Sequence, residues 1–136
     1  RKIGGNIWLD PAIRSMYFAR ATFKALAHQY FRYGFWKLKM LRRYPETLRW
    51  RQALPPVFVF SLIILLILGI FWPLFAWVLA VEVFVYFFIL EVASIKLFFS
   101  NHKLFLLPGL PLSIFMMHLS WGWGFLWSFF SEKWIS

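Results

Sequence analysis

From Leu54 onward the chain alternates long apolar runs with short breaks that carry proline, glycine or a few polar residues. Val57–Trp72 is the first run, with Ser61 its one polar side chain. At about 1.5 Å per residue it reaches roughly 24 Å. That falls short of the ~30 Å hydrocarbon core of a bilayer, so it either crosses or re-enters. Leu74–Phe99 is longer, interrupted by Glu82, Glu91, Ser94 and Lys96. The uncharged "GIFWP" between them reads as the turn of a tight helical hairpin, broken at Gly69 and Pro73. "SNHK" (Ser100–Lys103) is the next polar loop and "LPGLP" (Leu107–Pro111) a second breaker, after which Leu112–Phe130 forms a third span. The pattern thus predicts a transmembrane region over 55–136, with spans at about 57–72, 74–99 and 112–130.

The preceding segment has a different period. With Lys24 at zero and about 100° per residue, His28, Arg32, Lys39, Arg42 and Arg43 fall within about 100° of one another. Phe23, Leu26, Tyr30, Tyr33, Gly34 and Leu41 gather on the other side, with Lys37 among them and able to snorkel. Residues 22–43 therefore read as an amphipathic helix, with a kink expected at Gly34. A basic face, an aromatic face and a following apolar span describe a helix lying in a membrane interface. "YPETLRWRQALPP" (Tyr44–Pro56) reads as a linker in which Pro55-Pro56 sets the entry into the bilayer, so interface helix and linker together occupy 21–54. Residues 1–20 read as the tail of a mixed α/β domain, with a turn at Gly4-Gly5 and a strand-like "NIWLD". So short a strand needs partners, and the chain reads as a piece of a longer protein.

Composition sharpens this picture. The 136 residues are 62% hydrophobic and 24% aromatic, with five acidic residues, too few polar groups to cover a soluble domain of this size. The chain reads as an integral membrane protein, mainly α, that is, an amphipathic interface helix, a hairpin and a third transmembrane helix. The whole net charge of +10 lies in residues 1–51, which hold twelve Lys and Arg against Asp10 and Glu46. A membrane span follows within a few residues, so the expected partner is membrane lipid with anionic headgroups, not nucleic acid. The positive-inside rule puts the N-terminal part and the Lys96/Lys103 loop on the cytosolic side of a multi-pass protein of the cell (inner) membrane. Trp72, Trp77 and Trp134 would mark the outer interface and Trp50 the inner one.

Candidate chemistry is sparse. His28, His102 and His118 sit in different elements, there is no Cys, and no Gly-rich phosphate loop occurs, so no metal site is expected in this segment. Glu82, Glu91 and His118 are ionisable groups in apolar spans and need partners. Similar depth suggests a Glu91–His118 hydrogen bond, while "GWG" (Gly122–Gly124) suits close helix approach. In "HQYFRYGFWK", Gln29 and Arg32 share a helix face. A forked guanidinium and an amide beside Tyr30, Tyr33 and Trp36 suit a phosphate or a sugar at the membrane surface. Lys24, Lys39, Arg42 and Arg43 would hold that helix on anionic lipid. A plain cationic anchor, indifferent to its exact residues, accounts for the same pattern.

The stretches "GGNIWLDP", "QYFRYGFWK", "RRYP", "LPP" and "HLSWGWGF" together resemble the C-terminal part of membrane-bound family 2 glycosyltransferases, in the branch that includes succinoglycan-biosynthesis enzymes. The resemblance covers most of the chain, and its most specific part is Gln-x-x-Arg-Tyr-Gly. It implies a GT-A α/β catalytic domain, of which residues 1–20 would be a remnant. That domain would bind a nucleotide-sugar and a divalent cation (Mg or Mn), with the catalytic acidic residue outside this chain and no metal bound by this segment. The resemblance further implies transfer of a sugar to a lipid-linked, polyprenyl diphosphate acceptor. Gln29 and Arg32 match a Gln-x-x-Arg-Trp motif near the donor diphosphate in related synthases. Tyr33 stands at the Trp position, which fits single-sugar addition. The segment alone would be inactive. The rival expectation is a non-enzymatic membrane anchor or assembly module whose basic helix binds anionic lipid.

Overall fold

The structure is a computed structural model that describes residues 8, 10–16 and 20–131. Four α-helices follow one another: α1 (Phe23–Arg43), α2 (Trp50–Phe71), α3 (Pro73–Asn101) and α4 (Leu106–Phe130). There is no strand among the described residues, and the "NIWLD" reading falls largely outside them. The expected remnant of an α/β domain is therefore not seen.

α1 starts at Thr22, whose extended backbone leaves its hydroxyl free to accept from the Ala25 amide at 3.2 Å. Arg42 and Arg43 occupy its last turn, where the helix dipole favours positive charge. Gly34 does not break it. The short 3₁₀ turn Pro45–Thr47 follows, and Lys37 reaches across to donate to the Thr47 carbonyl at 3.1 Å.

The linker is shorter than the proline pattern suggested. α2 begins at Trp50, where the Arg49 amide donates to Gln52 Oε1 at 3.2 Å, and it runs through Pro55 and Pro56. Each proline forfeits one intrahelical hydrogen bond. Both are buried, and Pro55 packs on α4 at Gly122, so tertiary contact offsets the loss. With 22 residues, α2 extends about 33 Å rather than 24 Å, long enough to cross a bilayer.

α2 and α3 form the expected hairpin, turning at Trp72 with Pro73 in the first helical position. Three pairs fix its antiparallel register. Phe58 stacks on Tyr86 with ring centroids 4.5 Å apart, the Ser61 hydroxyl donates to Glu82 at 2.6 Å, and Gly69 lies against Ala76. Gly69 is thus a close-packing position, not the break foreseen there. Trp72 and Trp77 are exposed near the turn, and Trp134 lies outside the described residues.

α3 ends at His102, which takes the left-handed conformation (φ 53°) and donates its amide to Phe98. α4 then folds back and absorbs the "LPGLP" segment instead of starting after it. Pro108 sits in the first turn, where a missing N–H costs little, and Pro111 is buried within the helix. α2 and α3 are each long and apolar enough to cross a membrane, with 11% and 6% of their most apolar stretches buried. A core helix of a soluble protein would hide most of that surface. α4, which carries His118, Ser120, Gly122 and Gly124, is not one of the two helices that are long and apolar enough to cross. The third span expected at 112–130 therefore lacks this support.

α1 lies beside the C-terminal half of α4 and runs in the same direction. Ala27 and His28 meet Leu119 and Ser120, Phe31 meets Gly124, and Lys39 reaches Ser131. Small residues permit this approach. Gly34 faces the Trp121 carbonyl, and Gly124 and fully buried Ser128 share one face of α4. Two positions along a helix are about 200° apart, so the "GWG" glycines serve different neighbours. Gly124 admits α1, while Gly122 admits Pro55 of α2.

Candidate functional site

The buried stripe of α1 is Gly34, Phe35 and Leu38, flanked by Ala27 and Phe31. It is rotated from the face expected on periodicity alone. Packing on α4 turns Tyr33 and Trp36 outward, about half exposed, onto the same side as His28 and Arg32. The exposed side of α1 is therefore both cationic and aromatic.

A groove of about 440 Å³ lies on that side, lined by Arg20, His28, Gln29, Arg32, Tyr33 and Trp36. Gln29 organises it. Its Oε1 accepts from Arg20 Nε at 2.9 Å, and its Nε2 donates to the Tyr33 hydroxyl at 2.6 Å. Tyr33 packs edge-on to Tyr30 with centroids 5.6 Å apart. The phenol proton of Tyr33 is left for another acceptor. Arg32, one turn from His28 and from Trp36, has no hydrogen-bond or ion-pair partner among the described residues. No carboxylate of the described residues lines the groove. Two guanidiniums, an imidazole and a phenol line one groove, which suits an anionic, multi-oxygen ligand such as a phosphate or diphosphate.

Gln29, Arg32 and Tyr33 thus come together as the sequence suggested, with one revision. Gln29 is engaged on both sides of its amide, so it positions Arg20 and Tyr33 instead of presenting a free amide. Trp36, read beside them as a ring for a sugar, lines the same groove, whereas Arg20 and His28 were not singled out with them. His28 and Trp36 stand four residues either side of Arg32, a spacing that marks one helix face. Arg20 precedes the helix and reaches back to Gln29, which no periodicity encodes.

The other expected residues are placed as follows. Lys24 is exposed in the first turn of α1, and Arg42 and Arg43 are exposed in its last. Arg43 lies 5.6 Å from the Tyr44 ring. Lys39 is not a free surface cation. Its Nζ donates to the Ser131 carbonyl at 2.8 Å and lies 5.6 Å from the Phe35 ring, closing the negative end of α4. The Glu91–His118 bond does not form. His118 Nδ1 is instead 2.9 Å from the Tyr86 hydroxyl, because α4 meets α3 about one turn before Glu91. Glu91 is half-buried in α3.

The divalent cation implied by the resemblance finds no ligand set here. No three of His, Cys, Asp and Glu converge among the described residues. Comparison with protein-family models, curated proteins and solved structures yields no match.

Proposed function

We propose that this chain is the membrane-seated part of a glycosyltransferase that passes a sugar from a nucleotide donor to a lipid-linked, polyprenyl diphosphate acceptor at the cytosolic face of the cell membrane. The observation that carries the reading is the Arg20–Gln29–Tyr33 hydrogen-bond chain beside Arg32, which has no hydrogen-bond or ion-pair partner among the described residues. A helix that served only as a cationic anchor needs no such organised donor set. In this reading α2 and α3 cross the bilayer, and α1 lies at the surface with its groove toward the catalytic domain, which lies outside these residues.

Each side chain then has a task. Breaking a glycosidic bond to a nucleotide leaves negative charge on the departing diphosphate. The Arg32 fork meets that charge with two parallel N–H donors. Arg20, fixed by Gln29, adds a second cation, and Tyr33 donates its remaining proton. Trp36 offers a flat apolar face to a sugar ring. Lys24, Arg42 and Arg43 hold α1 against anionic headgroups. The resemblance assigns the base that deprotonates the acceptor hydroxyl to the missing domain.

The test is a lipid-product assay. Membranes containing the complete enzyme are supplied with radiolabelled nucleotide-sugars and an extract of polyprenyl diphosphate glycans. Label is expected in an organic-soluble, mild-acid-labile product for one of the sugars. If no donor labels any lipid while the protein is present and folded, the anchor reading replaces this one.

A further inference from the structure

α3 has 29 residues and α2 has 22, so the two arms of the hairpin are unequal. Eight residues beyond the Phe58–Tyr86 pair on each helix, Trp50, the first residue of α2, comes opposite Ser94. From there α3 runs on past the end of α2. At about 1.5 Å per residue α3 extends roughly 44 Å, whereas the hydrocarbon core measures ~30 Å, or about 20 residues. With Pro73 at one boundary of the core, the segment from Ser94 through the turn into α4 falls at the other, in the headgroup layer.

That segment is both apolar and cationic. Phe99, Leu104 and Phe105 are 68%, 71% and 66% exposed. Lys96 and Lys103 are exposed as well, and neither ammonium group has a hydrogen-bond or ion-pair partner among the described residues. The nearest acidic residue along the chain, Glu91, lies five positions before Lys96. The backbone of the turn closes on itself. Asn101 Nδ2 donates to the Leu97 carbonyl at 3.0 Å and the His102 amide to the Phe98 carbonyl at 2.6 Å. The Leu106 and Leu107 amides donate to the Lys103 and Leu104 carbonyls at 3.0 and 3.2 Å. A turn whose helix-end groups are paired internally rests against hydrocarbon without stranding them.

We infer that the α3–α4 turn is a second membrane-surface site, at the end of α4 away from α1. It sets Phe99, Leu104 and Phe105 into the leaflet and holds the phosphates of anionic phospholipid with Lys96 and Lys103. The inference rests on α2 and α3 crossing a bilayer and is independent of sugar transfer. Charge complementarity selects the occupant. Two unpaired cations beside exposed aromatic and aliphatic side chains match a surface that is anionic outside and apolar beneath, which describes an anionic leaflet. The opposite turn at Trp72 exposes aromatic side chains and has no cation, so it lacks the charged half of this pattern.

The experiment reconstitutes the full chain in vesicles of equal parts phosphatidylcholine and phosphatidylglycerol. The sequence has no cysteine, so Phe99→Cys and Leu104→Cys, made separately at exposed positions, each carry a single bimane fluorophore. Quenching is measured with aqueous iodide, with nitroxide-labelled phosphatidylglycerol and with nitroxide-labelled phosphatidylcholine. Either lipid should quench more than iodide. Labelled phosphatidylglycerol should quench about fivefold more than labelled phosphatidylcholine, the preference that a single lysine near a surface supplies. Lys96→Gln combined with Lys103→Gln should bring that ratio down toward one, and bimane at Trp72→Cys should show a ratio near one throughout. Stronger quenching by iodide than by lipid puts the turn in water and overturns the inference. A lipid ratio near one at both positions, or one that survives the double lysine substitution, removes the anionic site. Shielding from iodide and from both lipids gives the turn to a protein partner and also overturns it. None of these outcomes bears on sugar transfer, which the lipid-product assay reads separately.

Discussion

Gly124→Ala is expected to drive α1 off α4. A methyl group built at Gly124 runs into the carbonyl oxygen of Phe31, and it also lies 2.8 Å from the carbonyl carbon and 3.0 Å from Cα of that residue. All three are backbone atoms and have no rotamer to escape into. Gly34→Ala meets the same difficulty from the other helix, against the Trp121 carbonyl and the Phe125 amide nitrogen at 2.9 Å. Overpacking at a compliant core site costs about 1–3 kcal/mol. Here one entire helix has to move, so each change should reach or exceed the top of that range. Gly109 supplies the control. Nothing lies within 4 Å of a methyl group there, so Gly109→Ala should be neutral or stabilise α4 by up to about 1 kcal/mol. Unfolding in a mixed-micelle denaturant titration reads all three. Equal midpoints for Gly124→Ala and Gly109→Ala would show that the helices do not meet as described.

Under the proposed function, Arg32→Lys should slow sugar transfer by the complete enzyme by roughly one to two orders of magnitude and leave its membrane attachment intact. Lysine keeps the charge, so long-range attraction of an anionic ligand persists. It loses the planar fork that grips two phosphate oxygens at once. A charge-assisted hydrogen bond contributes about 1.5–3 kcal/mol, and each 1.36 kcal/mol is tenfold in rate. The expected fall in kcat is therefore roughly ten- to hundredfold, and it should appear in kcat more than in KM if the fork acts on charge developing in the transition state. Equal turnover by Arg32 and Lys would mean that any cation serves, which is the behaviour of an anchor.

The hairpin was legible because its signals are local. An apolar run, a turn with glycine and proline, and a second apolar run leave few alternatives once the composition points to lipid. The helix at 23–43 was legible for the same reason, since a 3.6-residue period defines it without reference to the rest of the chain. What the sequence hid is what depends on partners. Pro55, Pro56 and Pro111 look like breaks, yet packing holds them buried inside α2 and α4, while Pro108 fits the first turn of α4. The inward face of α1 is set by Gly124 and Ser128 of α4 as well as by hydrophobicity, so the stripe Phe31–Gly34–Phe35–Leu38 packs and Tyr33 turns outward. His118 pairs with Tyr86 and not Glu91 because the α3–α4 crossing, which no spacing encodes, brings those two levels together. Of the candidate site, Gln29, Arg32 and Tyr33 could be read from one helical turn, whereas Arg20 arrives from outside it.

Glu82 illustrates how a costly group is accommodated in such a chain. It sits where the hairpin brings Ser61 opposite, and the serine hydroxyl lies 2.6 Å from its carboxyl and 2.8 Å from the Phe58 carbonyl. An ionisable side chain in an apolar span needs such a contact. The same logic places Ser94 against the Leu90 carbonyl at 2.9 Å.

The central claim is that α1 rests on the cytosolic face while α2 and α3 carry the chain across and back. The absence of cysteine from the sequence makes a direct measurement straightforward, since any thiol introduced is the sole thiol. Lys24→Cys and Trp72→Cys lie at opposite ends of the proposed arrangement and are both exposed. A membrane-impermeant maleimide is applied to sealed right-side-out and inside-out vesicles. The account predicts labelling of the Lys24→Cys protein in inside-out vesicles alone and of the Trp72→Cys protein in right-side-out vesicles alone. Labelling of both from one side, or of Lys24→Cys from the outside, would contradict it.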